Sequence, residues 1–154
     1  MKLKPLVQAA VIAATYAGLT LALAPISYGL VQVRVAEALT ILPFFTAAAI
    51  PGLFVGCLIA NIIGGLGILD IVFGSLATLL AAFLTSKMKN KWLAPLPPVL
   101  VNAIVIGTYL SIYYFNVPVY AGMAYVAVGQ VLACYGLGMI LLFQLEKHKG
   151  KLFS

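Results

Sequence analysis

Charged residues are scarce in this sequence. Asp, Glu, Lys and Arg together make up only 8% of the 154 residues, and hydrophobic residues make up 64%. A soluble domain has about 25% charged residues, and a core of this size cannot enclose so much apolar surface. The composition therefore excludes a soluble enzyme, a disordered chain and a disulfide-rich secreted domain. It predicts an integral membrane protein.

Residues that bind metals and nucleotides are scarce as well. The chain has one His and two Cys, and Cys57 and Cys134 lie in separate apolar runs. This spacing is unlike that of a metal or redox site, so we expect two free thiols in lipid and no metal. A GxxxxGK[ST] phosphate loop is absent, which indicates that this chain hydrolyses no nucleotide and carries no cofactor of its own. The net charge of +6 is not concentrated in a basic arm, which argues against nucleic acid as a partner.

Six apolar runs are separated by Pro, Gly or charged residues. A helix needs about 20 residues to cross a bilayer core of about 30 Å, and fewer where it is buried. The sequence therefore predicts an all-α fold, a bundle of six transmembrane helices that forms a single domain over residues 1–154. The predicted spans are Leu6–Ala24, Val35–Ile50, Gly52–Gly64, Asp70–Thr85, Val99–Tyr114 and Val119–Leu145.

The lysines indicate how this bundle is oriented. With six crossings, the lysines near both termini and those between spans four and five fall on one side, so that side carries eight of the nine basic residues. The positive-inside rule makes it the cytoplasmic side, and both termini are therefore predicted to be cytoplasmic. Trp92 lies among these lysines as an interfacial anchor.

Polar residues are concentrated in the outer half of the predicted bundle. Arg34 lies in the first external loop, Pro25–Arg34, and the other polar residues lie in the spans between the outer ends and the middle of the membrane. Polar groups are costly in a bilayer and face the interior of a bundle, so we predict an outward-facing binding site. Its predicted polar lining comprises Arg34, Glu37, Asn61, Asp70, Asn102 and Gln130.

Each of these residues also has a structural interpretation. Arg34 and Glu37 are three positions apart and could neutralise each other at a helix start. Asp70 could be a first-turn residue that the helix dipole stabilises. The amide side chains of Asn61, Asn102 and Gln130 could be hydrogen-bonding contacts between helices. The sequence leaves these alternatives open.

Tyrosines also map to the outer half, among them Tyr28, Tyr109 and Tyr113. Aromatic rings there could stack against a flat heterocyclic ligand. They could equally form the aromatic belt that membrane proteins place at the lipid headgroups. We include the three in the predicted site and leave the belt as the alternative.

Span one carries two stripes of small residues at helical spacing, Ala9, Ala13 and Ala17 on one and Ala10 and Ala14 on the other. Small residues allow helices to approach closely in lipid. The stripes could therefore bind a partner protein or pack within the bundle. The chain lacks its own nucleotide motif and a chain of acids across the membrane, which indicates the binding half of a larger transporter.

Three segments resemble the QueT family, the substrate-binding S components of energy-coupling factor (ECF) transporters assigned to queuosine precursors. The segments are LTLALAPISYGLVQVRVAEALTILPFF (Leu19–Phe45), IPGLFVGCLIAN (Ile50–Asn61) and LDIVFGSLATLLAA (Leu69–Ala82). The resemblance covers nearly the whole chain. It implies six helices around an outward-facing site that the first external loop caps.

The resemblance also implies a non-catalytic transport subunit in the plasma membrane of a prokaryote. Its ligand would be a 7-deazaguanine such as 7-aminomethyl-7-deazaguanine or queuine. Its partners would be a transmembrane coupling protein, docked on the alanine stripes, and two ABC-type ATPases that bind ATP and Mg. Two alternatives remain, an S component for another vitamin such as riboflavin or thiamine, and a small membrane enzyme or assembly factor. An enzyme would have only Glu146 and His148, in the lysine-rich tail, near the cytoplasmic face.

Overall fold

The computed structural model describes residues 2–29, 31–65 and 67–153. Leu30 and Leu66, which fall in two predicted external loops, lie outside the described residues. Helices and their connections make up the described part, and no strand occurs in it. This confirms the all-α fold.

Eight helical elements follow one another along the described chain. They are α1 (Leu3–Ala22), α2 (Ala24–Ser27), a 3-10 helix (Val35–Phe44), α3 (Ala49–Gly64), α4 (Asp70–Ser86), α5 (Leu96–Phe115), α6 (Val119–Lys147) and α7 (Lys149–Leu152). Among the described helices, α1, α5 and α6 are long and apolar enough to cross a membrane. The 3-10 helix, α3 and α4 are apolar but shorter.

The predicted connection between spans two and three was wrong. The 3-10 helix ends at Phe44, so the predicted span Val35–Ile50 is too long, and α3 begins at Ala49, before the predicted start of Gly52–Gly64. Pro51 lies within the first turn of α3 instead of in a loop. Proline is tolerated there because the first amides of a helix have no partner inside it.

The same physics explains the early start of α5. Pro97 and Pro98 occupy its first turn, so the helix begins at Leu96 and not at Val99. The remaining predicted boundaries lie within about three residues of the observed ones, a usual margin for helix ends. The first span ends at Ala22 because the chain turns into the short helix α2, which contains Pro25.

Helices α1, α3, α4, α5 and α6 pack against one another in chain order. The 3-10 helix contacts α1, α4 and the second half of α6, and so lies inside the arrangement. Helices α1 and α3 approach each other closely, because a Cβ atom built on Gly56 would lie 2.8 Å from the carbonyl oxygen of Ala13. Small residues on both helices make this approach possible.

The connections between consecutive helices lie alternately at the two ends of the bundle. At one end Lys91 of the α4–α5 connection forms an ion pair of 3.1 Å with Glu146 near the end of α6. The ring of Phe45 stacks on Phe153 at the same end, with centroids 5.5 Å apart. At the opposite end, Tyr28 of the stretch 25–29 contacts Ala60 near the end of α3.

Candidate functional site

The buried polar side chains of the described residues include six that the sequence analysis singled out, each between 0% and 3% exposed. They come from the 3-10 helix and the residue before it, and from α3, α4, α5 and α6. They are the six predicted polar residues, Arg34, Glu37, Asn61, Asp70, Asn102 and Gln130. The interior position predicted for them is therefore observed, and their contacts divide them into two groups.

The first group surrounds the carboxylate of Glu37. The hydroxyl of Tyr16 on α1 donates a hydrogen bond to Glu37 Oε1. Asn102 Nδ2 on α5 lies 3.4 Å from Glu37 Oε2 and 3.0 Å from Oε1 of Gln130 on α6. Helices α1 and α5 therefore position one carboxylate, and α6 contributes through Gln130, which holds Asn102. Hydrogen bonds to an ionised group are stronger than those between neutral groups.

Arg34 is buried beside this group without a direct carboxylate partner. Its Nε donates to the carbonyl oxygen of Ser27 at 3.4 Å, and a terminal nitrogen lies 3.8 Å from the sulfur of Cys57. Both contacts are long, hence weak. A direct Arg34–Glu37 ion pair is not among the contacts of the described residues, so the two interact at longer range and not as an adjacent helical pair.

The second group surrounds Asp70 at the start of α4. The hydroxyl of Tyr109 on α5 donates to Asp70 Oδ1 at 2.5 Å, and Asn61 Nδ2 on α3 donates to the Asp70 carbonyl oxygen at 2.8 Å. Asp70 does lie in a first helical turn, which here has the wide π geometry. Single π turns are frequent at functional sites. Three helices therefore converge on Asp70 too.

The two cysteines are free, as predicted, but they lie inside the bundle and not against lipid. Cys57 and Cys134 are both fully buried. Cys57 accepts a hydrogen bond from the hydroxyl of Thr78 at 3.3 Å and lies 3.5 Å from Asn61 Nδ2. Through its contacts with Arg34 and Asn61, Cys57 connects the group around Glu37 with the group around Asp70. The sequence analysis did not predict this contact with polar side chains, because the residues around both cysteines in the sequence are apolar.

Tyr16 was also missed by the sequence analysis. It is fully buried and lies one helical turn after Ala13, whose face of α1 packs on α3. The signal was available, because residues three and four apart share a helix face. A stripe of small residues on a buried helix face therefore indicates that a tyrosine on the same face is buried as well.

Residues 25–29 and 31–34 cover the cluster at the end of the bundle opposite the Lys91–Glu146 ion pair. The Tyr28 ring lies 5.3 Å from the guanidinium carbon of Arg34, and its hydroxyl donates to the carbonyl oxygen of Ala60 at 2.8 Å. Farther along, Gln32 is packed so tightly on Gly129 of α6 that a Cβ atom there would lie 2.0 Å from the Gln32 carbonyl oxygen. Only glycine permits this contact, so the sequence of α6 fixes where the covering segment rests.

Tyr113 is not part of the cluster. Its side chain is 69% exposed and lines an apolar groove of about 420 Å³ between α4 and α5. Tyr109 lines the same groove while its hydroxyl reaches Asp70. Of the three predicted tyrosines, Tyr28 and Tyr109 contact the polar groups and Tyr113 faces the bundle surface.

Carboxylates held by side chains from several helices, inside an apolar bundle, are what a membrane protein needs to bind a polar solute. The family model of the QueT transporter matches residues 6–147 of this sequence. The chain belongs to the QueT transporter family. This assigns it a transport role in a membrane, not a catalytic one. No curated protein and no solved structure matches the chain.

The two alanine stripes of this QueT-family chain have different environments. Ala13 and Ala17 are buried, and Ala9 and Ala13 face the glycines of α3. Ala10 and Ala14, on the other stripe, are exposed. An open apolar groove of about 420 Å³ runs beside them between α1 and α3. One stripe thus packs within the bundle, and the other is free for a partner.

Proposed function

We propose that this chain is the substrate-binding S component of an ECF-type importer for a queuosine precursor, a 7-deazaguanine such as 7-aminomethyl-7-deazaguanine or queuine. The observation that carries the proposal is the Glu37 carboxylate, enclosed in the bundle and positioned by Tyr16 and Asn102 from different helices. A buried carboxylate selects ligands that bring hydrogen-bond donors, because an unpaired buried charge is costly.

The two carboxylates fit the two ends of such a ligand. The pyrimidine edge of a 7-deazaguanine carries neighbouring N–H donors, which one carboxylate can accept together, and we assign this edge to Glu37. Arg34 makes only long contacts, so its guanidinium has donors for the carbonyl oxygen of the same edge. Asp70 then accepts the ammonium of the aminomethyl form, and Tyr28 covers the site.

We further propose that the chain crosses the plasma membrane of a prokaryote six times with both termini in the cytoplasm. A 3-10 helix rises about 2.0 Å per residue, so ten residues extend about 20 Å, and the extended residues before it add roughly 13 Å. Helices α3 and α4, of 16 and 17 residues, extend about 24–26 Å at 1.5 Å per residue. The grouping of the lysine-bearing connections at one end supports this orientation.

The partners we propose are a transmembrane coupling protein and two ABC-type ATPases, which bind the ATP and Mg. The exposed stripe of Ala10 and Ala14, beside the groove between α1 and α3, is the proposed docking surface for the coupling protein. Close helix packing in membranes requires such small residues. A bulky residue there should prevent docking and leave the polar cluster intact.

Purification of the tagged chain from its native membrane, with identification of the bound proteins and small molecule by mass spectrometry, tests the proposal. We expect a coupling protein, two ATPases and a 7-deazaguanine to copurify. Ala14→Trp should lose the proteins and keep the small molecule, whereas Ala124→Trp, at an exposed alanine of α6, should lose neither. Riboflavin or thiamine in the folded protein would contradict the substrate, and absence of ATPases would contradict the ECF assignment.

A further inference from the structure

Two buried asparagines each have a side-chain oxygen without a partner. Asn102 Oδ1 and Asn61 Oδ1 are enclosed, and neither accepts a hydrogen bond from the described residues. Buried polar atoms in native proteins are nearly always hydrogen-bonded, and each exception requires an explanation. A ligand that supplies the missing donors would be one, because both asparagines adjoin the proposed site.

The orientation of the Asn102 amide follows from the chemistry of its neighbours. Its Nδ2 faces Glu37 Oε2 at 3.4 Å and Gln130 Oε1 at 3.0 Å. An ionised carboxylate only accepts hydrogen bonds, so the amide nitrogen must face it. Exchanging the amide atoms would place two oxygens against each other. Oδ1 is therefore a second acceptor close to the Glu37 carboxylate.

Asn61 repeats the arrangement beside Asp70. Its Nδ2 donates to the Asp70 carbonyl oxygen at 2.8 Å, and a backbone carbonyl likewise only accepts. The amide orientation is again fixed, and Asn61 Oδ1 is left as an acceptor near the start of α4. Tyr109 already occupies Asp70 Oδ1. A ligand donor at this end would meet the remaining carboxylate oxygen and the amide oxygen.

We infer that Asn102 and Asn61 are specificity-determining residues, an inference that rests on the proposed function. Each selects ligands by the number of N–H donors at one end. Asn102 Oδ1 accepts the second N–H of the exocyclic amine, whose first N–H binds Glu37. Asn61 Oδ1 accepts one N–H of the ammonium whose charge binds Asp70. An amine carries two donors and an ammonium three, so the carboxylates alone do not satisfy them.

Isothermal titration calorimetry on the purified full chain tests the inference with four probes. 7-Deazaguanine and 7-deazahypoxanthine differ by the exocyclic amine, and 7-aminomethyl-7-deazaguanine and 7-methyl-7-deazaguanine differ by the ammonium. Asn102→Ala should reduce the affinity ratio of the first pair about tenfold and leave that of the second pair unchanged. Asn61→Ala should do the reverse, so each variant is the control for the other.

A ratio measured on one protein sample does not depend on how much of that sample is folded. Asn102→Ser and Asn61→Ser, which keep a short donor, are measured beside the alanine variants in case an alanine variant does not fold. Unchanged ratios in protein that binds the probes would overturn the inference and leave the proposed function standing, and so would exchanged effects of the two asparagines. Failure of the parent protein to bind any of the four probes would overturn the proposed function itself.

Discussion

The contact between α1 and α3 allows a quantitative prediction for Gly56→Ala. The added Cβ atom would lie 2.8 Å from the Ala13 carbonyl oxygen and 2.9 Å from Tyr16 Cβ. The first of these atoms is backbone and the second is the root of a buried ring, so neither can move alone. The variant must therefore push α1 away from α3.

The cost has two parts. Overpacking in a well-packed interior costs about 1–3 kcal/mol. Displacing Tyr16 also weakens its hydrogen bond to the Glu37 carboxylate, and bonds to charged groups contribute about 1.5–3 kcal/mol. With partial relaxation we expect a loss of roughly 2–4 kcal/mol in the free energy of unfolding, which lowers the melting temperature by roughly 5–15 °C for a chain of this size. Ligand binding should weaken as well, because Tyr16 positions Glu37.

Gly18→Ala is the matched control. Gly18 lies on α1, the helix against which Gly56 of α3 packs, and nothing lies within 4 Å of a Cβ atom built on it. Alanine in a helix interior is favoured over glycine by roughly 0.5–1 kcal/mol, so this variant should melt slightly higher than the parent. The assay is thermal unfolding of the detergent-solubilised protein, followed by the fluorescence of its single Trp. If Gly56→Ala melts together with Gly18→Ala, the close α1–α3 packing inferred here is refuted.

Three further predictions concern the site and the topology. Glu37→Gln should weaken binding of 7-deazaguanine at least about tenfold, measured by calorimetry, because the ligand donors lose their charged acceptor; unchanged affinity would place the site elsewhere. Asp70→Asn should weaken binding of 7-aminomethyl-7-deazaguanine more than that of its 7-methyl analogue, and equal losses would contradict an ammonium contact. A cysteine at Asn116 should react with an impermeant thiol reagent in intact cells, whereas one at Asn90 should not, and the reverse pattern would invert the topology. The buried native cysteines should give little background in that assay.

The fold was predictable where the apolar runs are long. Helices α1, α5 and α6 follow from length and hydropathy, since they satisfy what a bilayer demands of a helix. The helix boundaries between residues 35 and 64 were not predictable, because the apolar runs there are short. A proline in this region can lie either in a turn or in the first turn of a helix. The 3-10 geometry of Val35–Phe44 has no recognisable sequence signal. It depends on packing against α1, α4 and α6.

The burial of the polar residues was predictable for a different reason. Charged and amide side chains inside apolar runs are costly in lipid and therefore face the bundle interior. All six predicted polar residues lie there. The sequence analysis missed residues that stand in apolar runs of the sequence but make polar contacts in the structure. Cys57 and Tyr16 belong to this class, because only the three-dimensional contacts distinguish them from ordinary core residues. The exposed position of Tyr113 was not predictable, because spacing along a helix does not show which face meets the bundle.

Both carboxylates lie on irregular helical segments, and this bears on how a ligand could reach them. Glu37 is in a 3-10 helix and Asp70 in a π turn, and both geometries have poorer backbone hydrogen bonds than an α-helix. The groups that hold the carboxylates come mainly from helices of regular geometry at those positions: Tyr16 from α1, Asn102 from α5 and Asn61 from α3. A segment with weaker internal bonds costs less to displace than an α-helix does. The 3-10 helix, which follows directly from the covering segment, is therefore the element we expect to move when a ligand enters beside Glu37, while Tyr16 and Asn102 keep their places on the regular helices.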